Sequence, residues 1–177
     1  MRDPLGTQAR AIDDPVTPHF SVRELTHGRG WWPGDPAGEV ARYEYAARMV
    51  FEPSRLLLGV PFDVISGARP LGFNDTGRAS SMHLPPAQRL SPFLRFTGSF
   101  PELRGAALDF VPRGVHCDVA FWQFDAAQRS GHLPPGGLFW YPPDAEHPGP
   151  ASGRFLHIDF RPNGLARETA LTPPRGR

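Results

Sequence analysis

The sequence predicts an α+β fold that consists of a small antiparallel sheet, helices packed on one side of it, and long loops rich in proline and glycine. Helical spacing of apolar residues occupies the first third of the chain, and most of the short β-like segments come later. This order of elements is typical of α+β domains. The chain also contains 19 Gly and 22 Pro among 177 residues, so long irregular connections are expected.

The predicted elements begin with a short helix and a long one. Ser21 and Glu24 have the spacing of a capping box, which predicts that a helix starts at Ser21. Apolar residues recur at helical spacing over 39–58, and Gly59 follows in the position that commonly ends a helix. The segment 60–66 alternates around β-branched residues, which predicts the first strand of the sheet.

The later elements are three strands and one helix. Short apolar segments at 106–111, 137–141 and 155–160 are predicted strands. The segment 118–128 is predicted to be a helix, with Asp118 as its cap. Its buried side is expected to carry four apolar residues, namely Val119, Phe121, Trp122 and Ala126.

The length of the chain is that of one domain, since typical domains contain about 100–200 residues. We divide it into a flexible lead-in at 1–18, a folded domain at 19–161 and a polar tail at 162–177. A formal net charge of +1 provides no broad positive field, so nucleic acid is not an expected partner. The single cysteine, Cys117, excludes an internal disulfide and a zinc site made of cysteines alone.

The residues that carry chemistry fall into three segments, Ser81-Met82-His83, Gly105-Ala106-Ala107-Leu108-Asp109 and His157-Ile158-Asp159. Two imidazoles and one carboxylate with an open fourth position form a suitable ligand set for catalytic zinc. Such a site lowers the pKa of bound water towards about 7, which makes hydroxide available at neutral pH. Scattered His and Asp residues are also commonly structural, so these residues alone leave both interpretations open.

Together with three other segments, these residues resemble the zinc D-Ala-D-Ala carboxypeptidase-like peptidases of peptidoglycan, which share a fold with the hedgehog signalling domain. The family motif Ser-x-His-x-x-Gly-x-Ala-x-Asp supplies two zinc ligands, and a later His supplies the third. The resemblance extends over 19–161. The three other segments precede the motif in the family's order, at 19–25, 51–61 and 64–70 with Asn74 soon after, and 155–159 resembles the closing strand that carries the last zinc ligand.

The resemblance implies a zinc-dependent peptidase that hydrolyses peptidoglycan stem peptides, either at a terminal D-Ala or within the peptide. It implies Zn²⁺ as the cofactor, held by His83, Asp109 and His157. Arg69 would hold a substrate carboxylate or carbonyl, a task suited to the planar guanidinium. Asn74 would face the substrate, as would Ser81, which would also form hydrogen bonds near His83.

The sequence departs from the family pattern in two places. The segment 84–104 separates His83 from the rest of the motif, and its prolines and phenylalanines predict a loop that packs beside the site as a lid or a substrate-selecting wall. The residues that often supply the general base, three or two positions before the last zinc His, are here Arg154 and Phe155. Neither side chain can act as that base.

Asp159 is therefore the first candidate for the general base. Residues two apart on a strand share a face, so Asp159 should project on the same side as His157. Asp159 could instead be an outer residue of the metal site, that is, one that does not itself bind the metal, and it could then pair with Arg161. Glu146 and His147 are the alternative bases, because their loop returns to the strand that carries His157.

Two other classes of function are alternatives to the peptidase. A non-haem iron oxygenase that used His157-Ile158-Asp159 would need a further His downstream, and none follows residue 157. A non-catalytic zinc- or peptidoglycan-binding module of the same fold is the stronger alternative, because the usual base is absent and a fold does not guarantee activity. Zinc content combined with cleavage of muropeptides distinguishes the enzyme from the module.

The sequence also bears on partners and location. No segment approaches the roughly 18 apolar residues needed to cross a bilayer, so no integral membrane segment is predicted. The first ten residues lack the apolar region of a secretory signal. The protein is therefore expected to be cytoplasmic or released by a phage, or else exported with a leader outside this sequence. A monomer that acts on a peptidoglycan peptide is expected.

Overall fold

The computed structural model describes residues 11–26, 28, 30, 36–68, 83, 106–142, 154–160 and 166–169. Its helices are α1 (Val22–Leu25), α2 (Pro36–Ala46), α3 (Glu52–Leu58) and α4 (Cys117–Arg129). Its strands are β1 (Pro15–Thr17), β2 (Phe20–Ser21), β3 (Phe62–Ser66), β4 (Ala107–Pro112), β5 (Gly137–Tyr141), β6 (Phe155–Asp159) and β7 (Ala166–Thr169). Within the described residues, no helix combines the length and the apolar character needed to cross a membrane.

The strands form two sheets. A five-stranded sheet has the order β3-β4-β6-β5-β7, and β1 and β2 form a separate two-stranded sheet. The pairs β3–β4, β4–β6 and β5–β6 are antiparallel, whereas β7 is parallel to β5. The predicted α+β class with a small antiparallel sheet is therefore confirmed, with one parallel strand added at its edge.

The hydrophobic core lies on one face of the five-stranded sheet. Alternate residues of the central strands enter this core, namely Leu108, Phe110, Leu138, Leu156 and Ile158. The helices contribute Tyr43, Phe121 and Phe124 to the same core. Phe110 stacks on Phe62 with ring centroids 4.1 Å apart. Because successive side chains point to opposite faces, the intervening residues of β4 and β6 lie on the other face of the sheet.

The two predicted helix signals are confirmed. The side chain of Ser21 accepts a hydrogen bond from the backbone of Glu24, and the Glu24 carboxylate accepts one from the Ser21 N–H at 2.9 Å. Gly59 ends α3 with a φ of 68°, in the left-handed region that glycine occupies without strain. The predicted helix 39–58 contains a π-helical turn, Ala47–Phe51, directly before α3. Pro53 follows in the first turn of α3, where its missing N–H is tolerated.

The predicted cap and buried side of α4 are wrong in part. The helix begins at Cys117 after His116, so Asp118 lies inside the first turn, where its carboxylate accepts a hydrogen bond from the Val119 N–H. Val119 and Trp122 are 46% and 55% exposed, and Ala126 is also exposed. The buried side instead carries Cys117, Ala120, Phe121, Phe124 and Ala127. Both faces of the helix offer apolar residues, and contact with the sheet decides which of them is buried.

Strands also occur in the segments assigned to the lead-in and the tail. β1 pairs with β2, and its central residue Val16 is buried in the core. β7 lies within 162–177 and pairs with β5. These strands have three and four residues, too few to produce a visible alternation in the sequence.

Candidate metal centre

Sheet register brings Asp109 and His157 together. The two residues are direct partners in the antiparallel pairing of β4 with β6. Each stands between two core residues, so the alternation of the strand directs both side chains to the face opposite the core. The Nδ1 atom of His157 lies 2.7 Å from Oδ1 of Asp109. This pair is therefore a consequence of register and alternation.

His83 reaches the same place from outside the sheet. Its side chain is 3% exposed, and its Nε2 atom lies 3.2 Å from Oδ2 of Asp109. Its Nδ1 atom lies 2.6 Å from the carbonyl oxygen of Gly67. Because a carbonyl only accepts hydrogen bonds, Nδ1 carries the hydrogen. Nε2 is therefore the nitrogen whose lone pair a neutral ring would offer to a bound metal ion.

His83, Asp109 and His157 form a buried group that could hold a metal ion. One ligand atom from each residue lies within 4.8 Å of the other two. Tetrahedral zinc with bonds of about 2.0–2.2 Å separates its ligands by roughly 3.3 Å. Nε2 of His83 lies 3.2 Å from Oδ2 of Asp109, whereas Nδ1 of His157 lies at a hydrogen-bond distance of 2.7 Å from Oδ1. An ion bound by all three residues would therefore replace the hydrogen bond between His157 and Asp109.

The charges in this group are strongly coupled. Burial would raise the pKa of Asp109, but the nearby His83 and the hydrogen bond from His157 hold it well below its usual range. Burial would lower the pKa of His157, but hydrogen bonds to Asp109 and Asp159 raise it to about 9. A metal ion that binds His157 at neutral pH must therefore displace a proton from the ring.

Asp159 contacts the ring nitrogen of His157 that is remote from Asp109. Its Oδ2 atom lies 3.1 Å from Nε2 of His157, and its Oδ1 accepts a hydrogen bond of 2.9 Å from the Gly137 N–H. The residue is fully buried. A carboxylate at the second nitrogen of a ligand histidine orients the ring and selects its tautomer. Of the two roles expected for Asp159, this geometry favours the outer residue over the base.

Aromatic side chains lie beside the group on the same face of the sheet. Phe139 is the partner of His157 across β5 and β6, and the two rings meet edge to face with centroids 5.3 Å apart. Two residues further along, Tyr141 stacks on Phe155 with centroids 4.6 Å apart. These rings give one side of the site an apolar wall. The sequence predicted a strand at 137–141 from its apolar residues, but the pairing of Phe139 with His157 depends on register.

The structure thus brings together four of the candidate residues, His83, Asp109, His157 and Asp159. The remaining five, which are Arg69, Asn74, Ser81, Glu146 and His147, lie outside the described residues, as do Arg161 and the segment 84–104. Comparison of the chain with protein-family models, curated proteins and solved structures found no match.

Proposed function

We propose that this protein is a zinc-dependent peptidase that hydrolyses peptidoglycan stem peptides, of the D-Ala-D-Ala carboxypeptidase or endopeptidase type. The observation that carries the proposal is the meeting of His83, Asp109 and His157 in one buried group. The peptidase motif assigns these three residues to zinc, although they are far apart in the sequence. Their convergence supports the motif, because three residues that are remote in the sequence meet at one carboxylate.

The donor set fits zinc. Imidazole and carboxylate are both common zinc ligands, and three protein ligands leave the fourth position that a catalytic site needs. His83 is already oriented by the Gly67 carbonyl to offer Nε2. Asp159 holds Nε2 of His157, so Nδ1, which here bonds to Asp109, is the nitrogen that would bind the ion after the ring loses a proton. Each ligand histidine is therefore held at the nitrogen that is not required for the metal, as in known zinc sites.

Bound zinc would act as a Lewis acid that polarises a peptide carbonyl and makes a water molecule more acidic. The residues of the chain limit hydration of the site and orient the substrate. Phe139 shields one side of His157 from solvent and limits hydration of the site. Arg69 holds the carboxylate or carbonyl of the substrate, as the resemblance implies. This contact orients the peptide bond for attack.

The general base is assigned to Glu146 or His147. Asp159 directs one oxygen to His157 and the other to the Gly137 N–H, so it acts as a positioning residue for His157. Glu146 and His147 belong to the segment between β5 and β6, the two strands that carry Phe139 and His157. A base from this segment takes the proton from the attacking water and passes it to the leaving amine.

A non-catalytic zinc- or peptidoglycan-binding module of the same fold is the second candidate function. The position that often holds a base in the family is occupied by Arg154, whose guanidinium lies 5.7 Å from the centre of the Phe155 ring. A cation stacked on an aromatic ring cannot accept a proton. This observation favours a binding module if neither Glu146 nor His147 acts as the base.

Metal analysis and a cleavage assay test the proposal together. Purified protein should contain about one zinc ion per chain. It should also release D-Ala or a shorter peptide from muropeptides, as measured by chromatography and mass spectrometry. The variant His83→Ala should lose both properties, whereas His132→Ala, an exposed histidine bonded to Ser130, should keep both. Zinc without cleavage would indicate the binding module, and iron in place of zinc would contradict the proposal.

A further inference from the structure

The chain at Gly67 passes very close to the end of α1. A Cβ atom built on Gly67 would lie 2.0 Å from the carbonyl oxygen of Leu25 and 2.6 Å from its carbonyl carbon. Real Cβ atoms essentially never approach another atom within 3.0 Å. Both of the atoms it would meet belong to the backbone, so no side-chain rotation can relieve the contact. Glycine at position 67 is therefore required by space.

A hydrogen bond fixes the same approach. The Ala68 N–H donates to the Leu25 carbonyl oxygen at 2.7 Å. Leu25 is the last residue of α1, and the last carbonyls of a helix lack partners within the helix. The capping box at Ser21 holds the other end of α1, and Leu25 itself is fully buried. The position of the Leu25 carbonyl is therefore fixed, and its contact with 67–68 fixes the position of that segment.

An irregularity in β3 directs the chain to this point. Val64 is the partner of Phe110 and Ser66 is the partner of Asp109, so Ile65 is one residue more than β4 matches. Such a bulge bends a strand and changes the direction of the residues that follow. The bulge places Ser66 opposite the proposed metal ligand Asp109, and Gly67 follows Ser66 in the chain. The Gly67 carbonyl then accepts the hydrogen bond from Nδ1 of His83.

We infer that Gly67 is a positioning residue for the metal ligand His83. Its missing Cβ lets the chain lie against the Leu25 carbonyl, and only there does the Gly67 carbonyl meet Nδ1 of His83 while Nε2 faces Asp109. The inference rests on the metal site of the proposed function. The helix α1 contributes no ligand. It nevertheless determines the position of His83, because the Leu25 carbonyl contacts 67–68 and the Gly67 carbonyl contacts His83.

Zinc affinity of Gly67→Ala tests this inference. The loss of a residue that orients a ligand typically lowers metal affinity by about 10–100-fold. We expect a loss of that size by competition with a chromophoric chelator, smaller than the loss in His83→Ala. The matched control is Gly59→Ala, which introduces a Cβ at a φ of +68° with nothing within 4 Å and lies at the end of α3. This control should keep the zinc affinity of the wild type.

Unfolding of the metal-free variants in urea separates positioning from general damage. Gly67→Ala should remain folded without metal and show a loss of zinc affinity that Gly59→Ala lacks. Equal zinc affinity of Gly67→Ala and the wild type would overturn the inference. If Gly67→Ala does not fold, ¹⁵N NMR of the zinc-loaded wild type is used instead, to show which ring nitrogen of His83 carries the hydrogen. A hydrogen on Nδ1 of His83 with Nε2 bound to zinc is expected, and coordination through Nδ1 would overturn the inference.

The two proposals fail in different ways. A wild type that binds zinc but cleaves no muropeptide contradicts the peptidase, and the inference on Gly67 is still decided by the zinc affinities. A wild type that cleaves muropeptides, together with an unchanged affinity in Gly67→Ala, contradicts the inference alone. A wild type that binds no zinc contradicts both.

Discussion

Asp159 and His157 lie on the same face of β6, and Oδ2 of Asp159 is 3.1 Å from Nε2 of His157. The same carboxylate is anchored by the Gly137 N–H at the neighbouring strand. His157 therefore stands between two carboxylates, with Asp109 at Nδ1 and Asp159 at Nε2. The two acidic residues therefore differ in their contacts, because Asp109 belongs to the group that could hold a metal ion, whereas Asp159 holds the ring of His157 from the other side.

The variant Asp159→Asn tests the positioning role. Its amide keeps the shape of the side chain but removes the charge that holds the ring of His157. We expect zinc affinity to fall by about 10–100-fold, measured by chelator competition. Cleavage should recover in part at saturating zinc. An Asp159→Asn variant that keeps wild-type zinc affinity but loses turnover would instead identify Asp159 as the general base.

The variants Glu146→Gln and His147→Ala test the assignment of the base. One of them should retain zinc and lose about 10²–10⁴ in turnover of a muropeptide, because a general base acts on the reaction and not on the metal. The other variant serves as its control and should stay near the wild type. Full activity in both, together with loss of turnover in Asp159→Asn at wild-type zinc affinity, would move the base to Asp159.

The buried carboxylate of Glu52 predicts acid sensitivity at the N-terminal sheet. Thr17 donates a hydrogen bond of 2.7 Å to Glu52, and His19 contacts the other carboxylate oxygen. Burial would raise the pKa of Glu52, but the hydrogen bonds from His19 and Thr17 outweigh it and hold the pKa below its ordinary value of 4.5. A lowered folded-state pKa adds stability above pH 4.5, and this contribution disappears as the pH falls through the folded-state pKa.

Urea unfolding of Glu52→Gln at several pH values checks this expectation. The variant should be less stable than the wild type at neutral pH, and the difference should shrink as the pH falls below 4.5. The control is Asp63→Asn, which breaks an exposed ion pair with Arg113 and should change stability little. A difference between Glu52→Gln and the wild type that does not vary with pH would contradict the role of this carboxylate.

The sequence does not distinguish the aromatic residues Phe110 and Trp122, but their replacement should change the stability of the protein by very different amounts. Phe110 is fully buried and contacts the rings of Phe62 and Phe124, so Phe110→Ala should lower the free energy of unfolding by about 3–5 kcal/mol. Trp122 is exposed, so Trp122→Ala should change it by less than about 0.5 kcal/mol. Urea unfolding measures both. A large loss for Trp122→Ala would show that this face of α4 is covered in solution.

Several features of the fold were predictable because they depend on neighbours in the sequence. The capping box at Ser21 and the left-handed turn at Gly59 are local hydrogen-bond patterns, and both are confirmed. The strands 137–141 and 155–159 followed from short apolar segments. The phase of α4 was not predictable, since both of its faces carry apolar residues and only the position of the sheet selects one.

The sequence by itself indicated which residues could hold a metal ion, because its resemblance to the peptidase motif points to His83, Asp109 and His157, and strand alternation places Asp109 and His157 on the face opposite the hydrophobic core. The tertiary structure alone decided how each histidine is held. Asp159 reaches His157 through strand direction and burial, and Gly67 reaches His83 through a backbone contact with Leu25. Contacts of this kind join segments that are remote in sequence, and no local pattern of residues records the distance between two backbones.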